Sequence, residues 1–390
     1  MSMSSLKIRG GEVFLVALPI RRPHHWVGHT ARLGEGYVVL RLELESGIVG
    51  WGEAQVIGTW GGDHGARYGE TPQMTATAIS EVLIPAIAGH NVTEIEQLHA
   101  RMDRVLRGYP YAKAAIDVAL HDAIGKIYGV PVYQLLGGKV RHGTALAHSI
   151  GLMDAAAAAR EAAEVVAEGI TTIKVKIGVE VERDIAVVAA VRDAIGSAGK
   201  IRVDANQGYR TWREAVRAIT AMEKYDLVYA EQPVEGLRAM AQVSARINVP
   251  VMADESAWSA HDVVEIVRLD AAQMLSVYYT KPGGLARAKR LLAVAGAASL
   301  PCDINGSAEM GIGVAADLHL AVSSPEIVLP GTIPVTSTAE TIVTQVAGRK
   351  YLDDLIKTPF RFDKGVLYVP DGPGLGVEVD EAKLAKYRIG

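Results

Sequence analysis

The sequence predicts an α/β protein: a (β/α)8-type barrel preceded by an α+β unit and followed by a short returning tail. Three observations predict it. From about residue 145, short β-branched or apolar runs recur at 145–150, 171–176, 200–204, 227–230, 249–253, 273–278, 299–304 and 327–330, at intervals of 22 to 29 residues. The stretches between them, such as 155–168 and 182–195, carry helical periodicity. One period kept through eight strand–helix units outlines a barrel, and an open doubly wound sheet rarely keeps it so long. Before residue 136, strands come first and helices follow, as in a segregated α+β layer. The last segment, 362–390, holds a strand-like GVLYVP and a Pro-Asp-Gly-Pro-Gly turn for which a completed barrel has no room. The expected units are therefore 1–135, 136–361, and a tail 362–390 that returns to the first.

Taken in order, residues 7–18 read as a strand, and 37–45 with 48–54 as a hairpin around Ser46-Gly47. Residues 74–87, 92–106 and 111–127 read as helices, the last stopping near Gly129 and Pro131. Composition narrows the function. With 49% apolar and 22% charged residues the chain has the makings of a packed core rather than a disordered coil. Forty basic against 44 acidic side chains leave a formal net charge of −4, so no basic stripe invites nucleic acid. A single cysteine, Cys302, excludes a disulfide framework or a thiolate metal cluster and suits a reducing cytoplasm. The dozen uncharged apolar residues 291–302 are too short to span a bilayer, and the N-terminus lacks the pattern of a signal peptide. The expectation is a cytoplasmic protein with neither membrane nor nucleic-acid partner, acting on a small molecule.

Barrel sites lie at the C-terminal ends of the strands. There the chain places Lys174 and Lys176, then Asp204, Glu231, Asp254 with Glu255, and Tyr278. The three acids are 27 and 23 residues apart, about one repeat each, so successive strands deliver one carboxylate apiece to the same rim. Converging carboxylates repel unless a counter-charge joins them. A hard divalent cation such as Mg2+ suits all-oxygen ligands, and the lack of His or Cys at these positions argues against zinc. An acid after a strand also serves as a helix cap, the competing reading for any one of them. Lys174 and Lys176, two apart on a strand, share a face. Two ammonium groups in one barrel mouth are expected to lower each other's pKa, and a neutral lysine is a competent base.

The stretches TTIKVKIG, RVDANQGY, AEQPV, MADES, KPGG and SAEMGIGVAADLHLA, with AKAAIDVALHDAIGKIYGVPVYQLLGG before them, resemble the enolase superfamily, in its muconate lactonizing enzyme subgroup. The resemblance covers nearly the whole chain. It implies a modified (β/α)7β TIM barrel under an α+β capping domain, and Mg2+-assisted removal of the proton α to a carboxylate to give an enediolate. Carried over by position, it implies Asp204, Glu231 and Asp254 as metal ligands, Lys176 as base and Lys174 as the group neutralising the substrate carboxylate. Asn206 and Glu255 fall where such enzymes keep supporting polar groups. The resemblance also implies a homo-oligomer, a dimer or an octamer.

One departure bears on the reaction. Members that racemise or epimerise carry a second lysine on the sixth strand; here Tyr278 takes that position, and Lys281 matches a noncatalytic lysine of the following turn. The alternative histidine after the seventh strand is absent from Cys302-Asp303-Ile304-Asn305. One lysine facing a tyrosine suits elimination better than two-base racemisation, with Tyr278 or protonated Lys176 donating to a departing β-hydroxyl. Tyr278 as a mere packing residue stays open. Two loops, 21–33 and 56–68, are expected as a specificity lid, carrying His24, His25, Trp26, His29, Trp60, Asp63 and His64. Their aromatics suit a cyclic or cationic group, and Asp63 an amine. Glu309 is expected beside the substrate or as a cap of the helix starting near Gly311. The pattern is most similar to members acting on proline derivatives, which makes dehydration of cis-3-hydroxy-L-proline the leading expectation. Epimerisation of proline betaine or hydroxyproline betaine, acid-sugar dehydration, and a non-catalytic ligand-binding barrel are the alternatives; a pure binder has no use for Lys176.

Overall fold

In the N-terminal third of the chain, alternating apolar positions close into one antiparallel sheet. The computed structural model describes residues 6–31, 36–306 and 308–389; the far end of the first lid loop and Ser307 of the SAEMGIG stretch lie outside them. Strand β1 (Ile8–Val16) is followed by a ribbon of β2 (His24–Trp26) and β3 (His29–Ala31), then by β4 (Tyr37–Leu44) and β5 (Val49–Ala54), with sheet order β1-β4-β5. The lid loop expected at 21–33 thus contains a hairpin.

The helix expected over 74–87 is α1 (Pro72–Thr77), a π-helical turn (Ala78–Leu83) and α2 (Ile84–Ile87) in one run, started by Pro72 and by Thr71, whose hydroxyl accepts from the Met74 N–H. Helices α3 (Ile95–Val105), α4 (Pro110–Tyr128) and α5 (Val132–Leu135) complete the cap. Helix α4 is buried from Tyr111 to Gly125 and lies directly on β5. The approach is so close that a Cβ at Gly50 or Gly52 would stand 2.1 or 1.9 Å from the carbonyl oxygens of Ala119 and Ala115.

After β6 (Gly143–Ala145) the barrel strands run in order: β7 (Ala147–Ile150), β8 (Thr172–Lys176), β9 (Lys200–Asp204), β10 (Leu227–Glu231), β11 (Val251–Ala253), β12 (Met274–Val277) and β13 (Cys302–Ile304). All seven are parallel neighbours. Helices α6 (Ala155–Ala167), α7 (Val181–Ile195), α8 (Trp212–Met222), α9 (Leu237–Ser244), α10 (Ala260–Leu269), α11 (Leu285–Ala297) and α12 (Gly311–Val322) alternate with them. The eighth strand expected at 327–330 is not a regular strand. Its place is filled by isolated parallel bridges, Ile327 to Cys302 and Thr332 to Asn305 on one side and Gly331 to Leu146 on the other, which close the ring. No outer helix follows it; the chain runs instead through irregular backbone to Phe362. The result is the (β/α)7β barrel with its separate cap.

The tail makes two kinds of contact. Its strand β14 (Phe362–Asp363) pairs with β15 (Val366–Tyr368), and β15 pairs with β6, not with the cap sheet. Further on, Gly374 bonds to Val130 and Val132, and after α13 (Glu381–Lys386) Arg388 bridges Val16. Two buried cap carboxylates reach the barrel. Asp117 on α4 accepts from Leu285 N–H at the start of α11 (2.6 Å), and Glu53 on β5 accepts from Met310 and Gly313 N–H (2.7 and 2.8 Å) at the start of α12. A carboxylate at a helix N-terminus satisfies donors the helix cannot, so both contacts fix the cap over the strand ends. Among the described residues no helix is long and apolar enough to cross a membrane.

Candidate active site

The strand register decides which side chains meet. Lys176, Asp204 and Glu231 are adjacent across β8, β9 and β10, each the last residue of its strand. Asp254, Tyr278 and Asn305 each follow the last residue of β11, β12 and β13. The three acids are completely or almost completely buried, as are both lysines and Tyr278. A cavity of about 50 Å3 opens between them, lined by Lys174, Lys176, Asn206, Asp254, Tyr278 and Asn305 below and by His24, Trp26, Ile57 and Trp60 of the cap above.

The ammonium of Lys174 lies between two carboxylates, 2.6 Å from Glu231 Oε1 and 2.9 Å from Asp204 Oδ2. Lys176 Nζ is 2.6 Å from Asp204 Oδ2 and donates to Asn206 Oδ1 at 2.6 Å. Asn206 in turn donates to Glu255 Oε1 at 2.9 Å. The expected mutual depression of the two lysines does not hold for Lys174. Burial lowers its pKa, but Asp204 and Glu231 outweigh burial and raise it. Those lysines hold the Asp204 carboxyl below its usual range in spite of its burial. Glu231 goes the other way: burial and the charge of Asp204 push it well up. Burial and neighbouring Asp254 push Glu255 up to about 8.

Lys281 is buried behind Tyr278. Its Nζ donates to Asp254 Oδ1 (2.7 Å), the Asp254 carbonyl (2.9 Å) and the Ser276 carbonyl (2.8 Å), and lies 4.7 Å from the centre of the Tyr278 ring. Four rings cluster here: Trp60 stands edge-on to Tyr278 at 4.9 Å and 5.6 Å from Trp258, and Trp26 is 5.9 Å from Lys176 Nζ.

The donor set fits a small hard cation. Three carboxylates meet at one rim, and Glu231 Oε2 is buried without a hydrogen-bond partner. Among the described residues no three His, Cys, Asp or Glu side chains form a ready ligand shell. The ammonium groups of Lys174, Lys176 and Lys281 supply the counter-charge, so Lys174 has to give way where a cation is taken up.

Not every expected residue reaches the cavity. Asp63 faces the barrel loops, accepting from Gln207 Nε2 (2.9 Å) and Gly236 N–H (3.0 Å); it staples the second lid loop rather than awaiting an amine. Glu309 is buried behind Gly306, where a Cβ would stand 2.0 Å from its Oε2, and burial raises it to about 7. It does not line the cavity, and the helix it was expected to cap is capped by Glu53 and Asp354, whose Oδ1 accepts from Gly311 N–H at 2.9 Å. His148, not one of the residues expected there, sits on β7 and pairs with Glu161 (2.8 Å). Burial pushes the Cys302 thiol up, which suits an inert core residue. Asn305, Ile57 and Thr332 line the cavity without having been singled out. Asn305 follows a barrel strand, so the strand-end rule reaches it.

Residues 157–383 match the family model "Enolase C-terminal domain-like", and residues 10–137 match "Mandelate racemase / muconate lactonizing enzyme, N-terminal domain". The N-succinyl-L-Arg/Lys racemase of Bacillus cereus is 30% identical over 386 residues, 98% of each chain. Among solved structures, muconate lactonizing enzyme from Pseudomonas fluorescens complexed with muconolactone superposes with a TM-score of 0.88, at 30% identity, over 99% of this chain and all of that one. A dipeptide epimerase from Enterococcus faecalis, complexed with Mg and a dipeptide, gives 0.85 at 30% identity over 95% of this chain and 99% of that one.

Proposed function

The chain is an enzyme of the enolase superfamily, in its mandelate racemase / muconate lactonizing enzyme branch, and from that premise we propose that it removes the proton α to a carboxylate and then expels a β-hydroxyl as water. The hydroxy amino acid cis-3-hydroxy-L-proline is the first substrate to test. One observation carries the proposal. Lys176 on β8 and Tyr278 after β12 lie four strands apart in a ring of eight, on opposite sides of the cavity, and the lysine on the tyrosine's side, Lys281, is bound to Asp254 and Ser276.

Each group has a position that suits one task. Lys174 meets a substrate carboxylate with a fixed positive charge. Lys176, held by Asp204 and Asn206, is aimed to take the α-proton onto Nζ once that nitrogen has given its own extra proton to solvent. The phenol of Tyr278, opposite, donates its proton to the β-oxygen. The α C–H and β C–O bonds break, a double bond forms between the α and β carbons, and water departs. The phenolate regains a proton from solvent and Lys176 returns one. A divalent cation held by Asp204, Glu231 and Asp254 supplies, when bound, positive charge against the carboxylate as negative charge builds there. Trp26 and Trp60 exclude water, strengthening every electrostatic contact inside.

The racemase, epimerase and cycloisomerase relatives favour a second reading, isomerisation at the α-carbon, as in an epimerase of proline or hydroxyproline betaine. Proton NMR in D2O with Mg2+ separates the two. Elimination predicts loss of the hydroxy substrate and growth of imine signals, with Tyr278→Phe slowing that step about 10²- to 10⁴-fold. Deuterium at the α-carbon with the hydroxyl retained, and no effect of Tyr278→Phe on product, contradicts it.

A further inference from the structure

The second lid loop touches both sides of the active-site cavity. Trp60 stands against the Tyr278 ring on one side. Further along, Asp63 turns to the barrel loops, and its Oδ1 accepts from Gln207 Nε2 after β9 (2.9 Å) and from Gly236 N–H after β10 (3.0 Å). His64 N–H adds a bond to Glu235 Oε1 at 2.6 Å. The fit at this point is tight, since a Cβ on Gly236 would stand 2.9 Å from His64 Nε2.

Gln207 belongs to a sharp bend. Asn206 and Gln207 both lie in the left-handed region, with φ of 43° and 64°. Consecutive non-glycine residues keep that conformation only where their surroundings fix it. Here Asn206 N–H donates to Asp204 Oδ1 (2.9 Å), Gln207 N–H donates to the Gln232 carbonyl (2.8 Å), and the Gln207 side chain is tied to Asp63. The first two bonds come from the barrel; the third comes from the cap. What the bend presents is the Asn206 amide, which serves two neighbours in one orientation. Its Oδ1 accepts from Lys176 Nζ and its Nδ2 donates to Glu255 Oε1. A turn of the backbone at 206–207 breaks both bonds together.

We propose that Asp63 is a positioning residue for the base: by holding Gln207 it fixes Asn206, and through Asn206 the place of Lys176 Nζ. Docking of the second lid loop and alignment of the base are then one event. The task of Lys176 rests on the proposed function. Asp63 does not line the cavity, so it acts through Gln207 and Asn206 rather than on the substrate. An undocked lid leaves Lys176 without its amide support.

The test pairs amide hydrogen exchange, read by mass spectrometry on the Mg2+-loaded enzyme, with kinetics on cis-3-hydroxy-L-proline. In Asp63→Ala the peptide covering 205–208 is expected to lose protection by about tenfold or more, while peptides of α4 keep theirs. With it kcat falls about tenfold or more and KM stays within about twofold, because a displaced base slows the chemistry and not the binding. Asp63→Asn keeps an oxygen acceptor and restores most of both. Gln207→Ala matches Asp63→Ala, and the double variant is no worse than either single one, since the two act along one path. Protection at 205–208 that is unchanged in Asp63→Ala, or lost only within the lid loop, overturns the proposal. So does a raised KM with kcat unchanged, the mark of a lid that only retains substrate. Where the unaltered enzyme leaves cis-3-hydroxy-L-proline intact, the proposed substrate falls alone, and the protection pattern of these variants decides the positioning role.

Discussion

Lys174 lies between Asp204 and Glu231 and stays charged; Lys176, one rung nearer the cavity mouth, touches Asp204 and the neutral Asn206 amide. On the proposed function, that difference in partners, on one strand and one face, separates a charge anchor from a base. The same logic governs Glu161. Its carboxyl is drawn down to about 2, against the effect of burial, by hydrogen bonds and charge from His148 and Arg22. An acid whose folded pKa is depressed stabilises the fold above its unfolded value near 4.5 and loses that contribution as pH falls toward 2. Glu161→Gln is therefore expected to lower stability by about 2–3 kcal/mol near neutral pH. The gap to the unaltered protein closes between about pH 4.5 and 2 in urea titrations; a gap independent of pH contradicts the pairing. At this scale the sequence was most legible where geometry is forced. Period two put both lysines on one face, and the strand-end rule placed Asp204, Glu231, Asp254 and Tyr278. A loop side chain carries no such constraint. Polarity alone said nothing of Asp63 turning to Gln207, or of Glu309 turning behind Gly306.

Helix α4 shows what an element demands of its neighbour. Its small side chains let it lie on β5 at a distance only glycine permits. Gly52→Ala puts a methyl 1.9 Å from the Ala115 carbonyl, so strand or helix has to move. Overpacking of this kind typically costs about 1–3 kcal/mol, and the backbone position of the clash puts this site at the upper end. A melting temperature lowered by several degrees is expected, and an unchanged one refutes the close packing. The helices and most strands were legible because their apolar periods are long. The eighth barrel segment was not: 327–330 carries a strand-like apolar run, but bridges of single residues, interrupted by Pro330, close the ring instead of a ladder. The π-helical turn at Ala78–Leu83 was not legible, since an apolar run reads as one helix however its backbone bonds are spaced.

At the level of the molecule, cap and barrel make the site together. The barrel contributes the charged floor, the cap contributes Trp26, Trp60 and His24, and buried carboxylates at Asp117 and Glu53 clamp the two through the first turns of α11 and α12. The sequence announced two units but not these clamps, because an acid inside a strand or helix reads as solvent-facing until its partner is known. The tail illustrates the same limit. Its strand was visible, while its partner β6, more than 200 residues away, was set by the barrel's closure. The proposed function gives Lys176 the task of a base; a barrel that only binds its ligand has no use for a buried amine lining an aromatic cavity.

The most direct measurement is α-proton exchange in D2O, followed by NMR on the Mg2+-loaded enzyme and on Lys176→Ala with a carboxylate that the unaltered enzyme accepts. Loss of exchange by about 10³-fold or more, with melting temperature and Mg2+ binding retained, is the predicted result. Exchange that persists in Lys176→Ala within about tenfold of the unaltered rate contradicts the account, and the base must then be sought elsewhere on the rim.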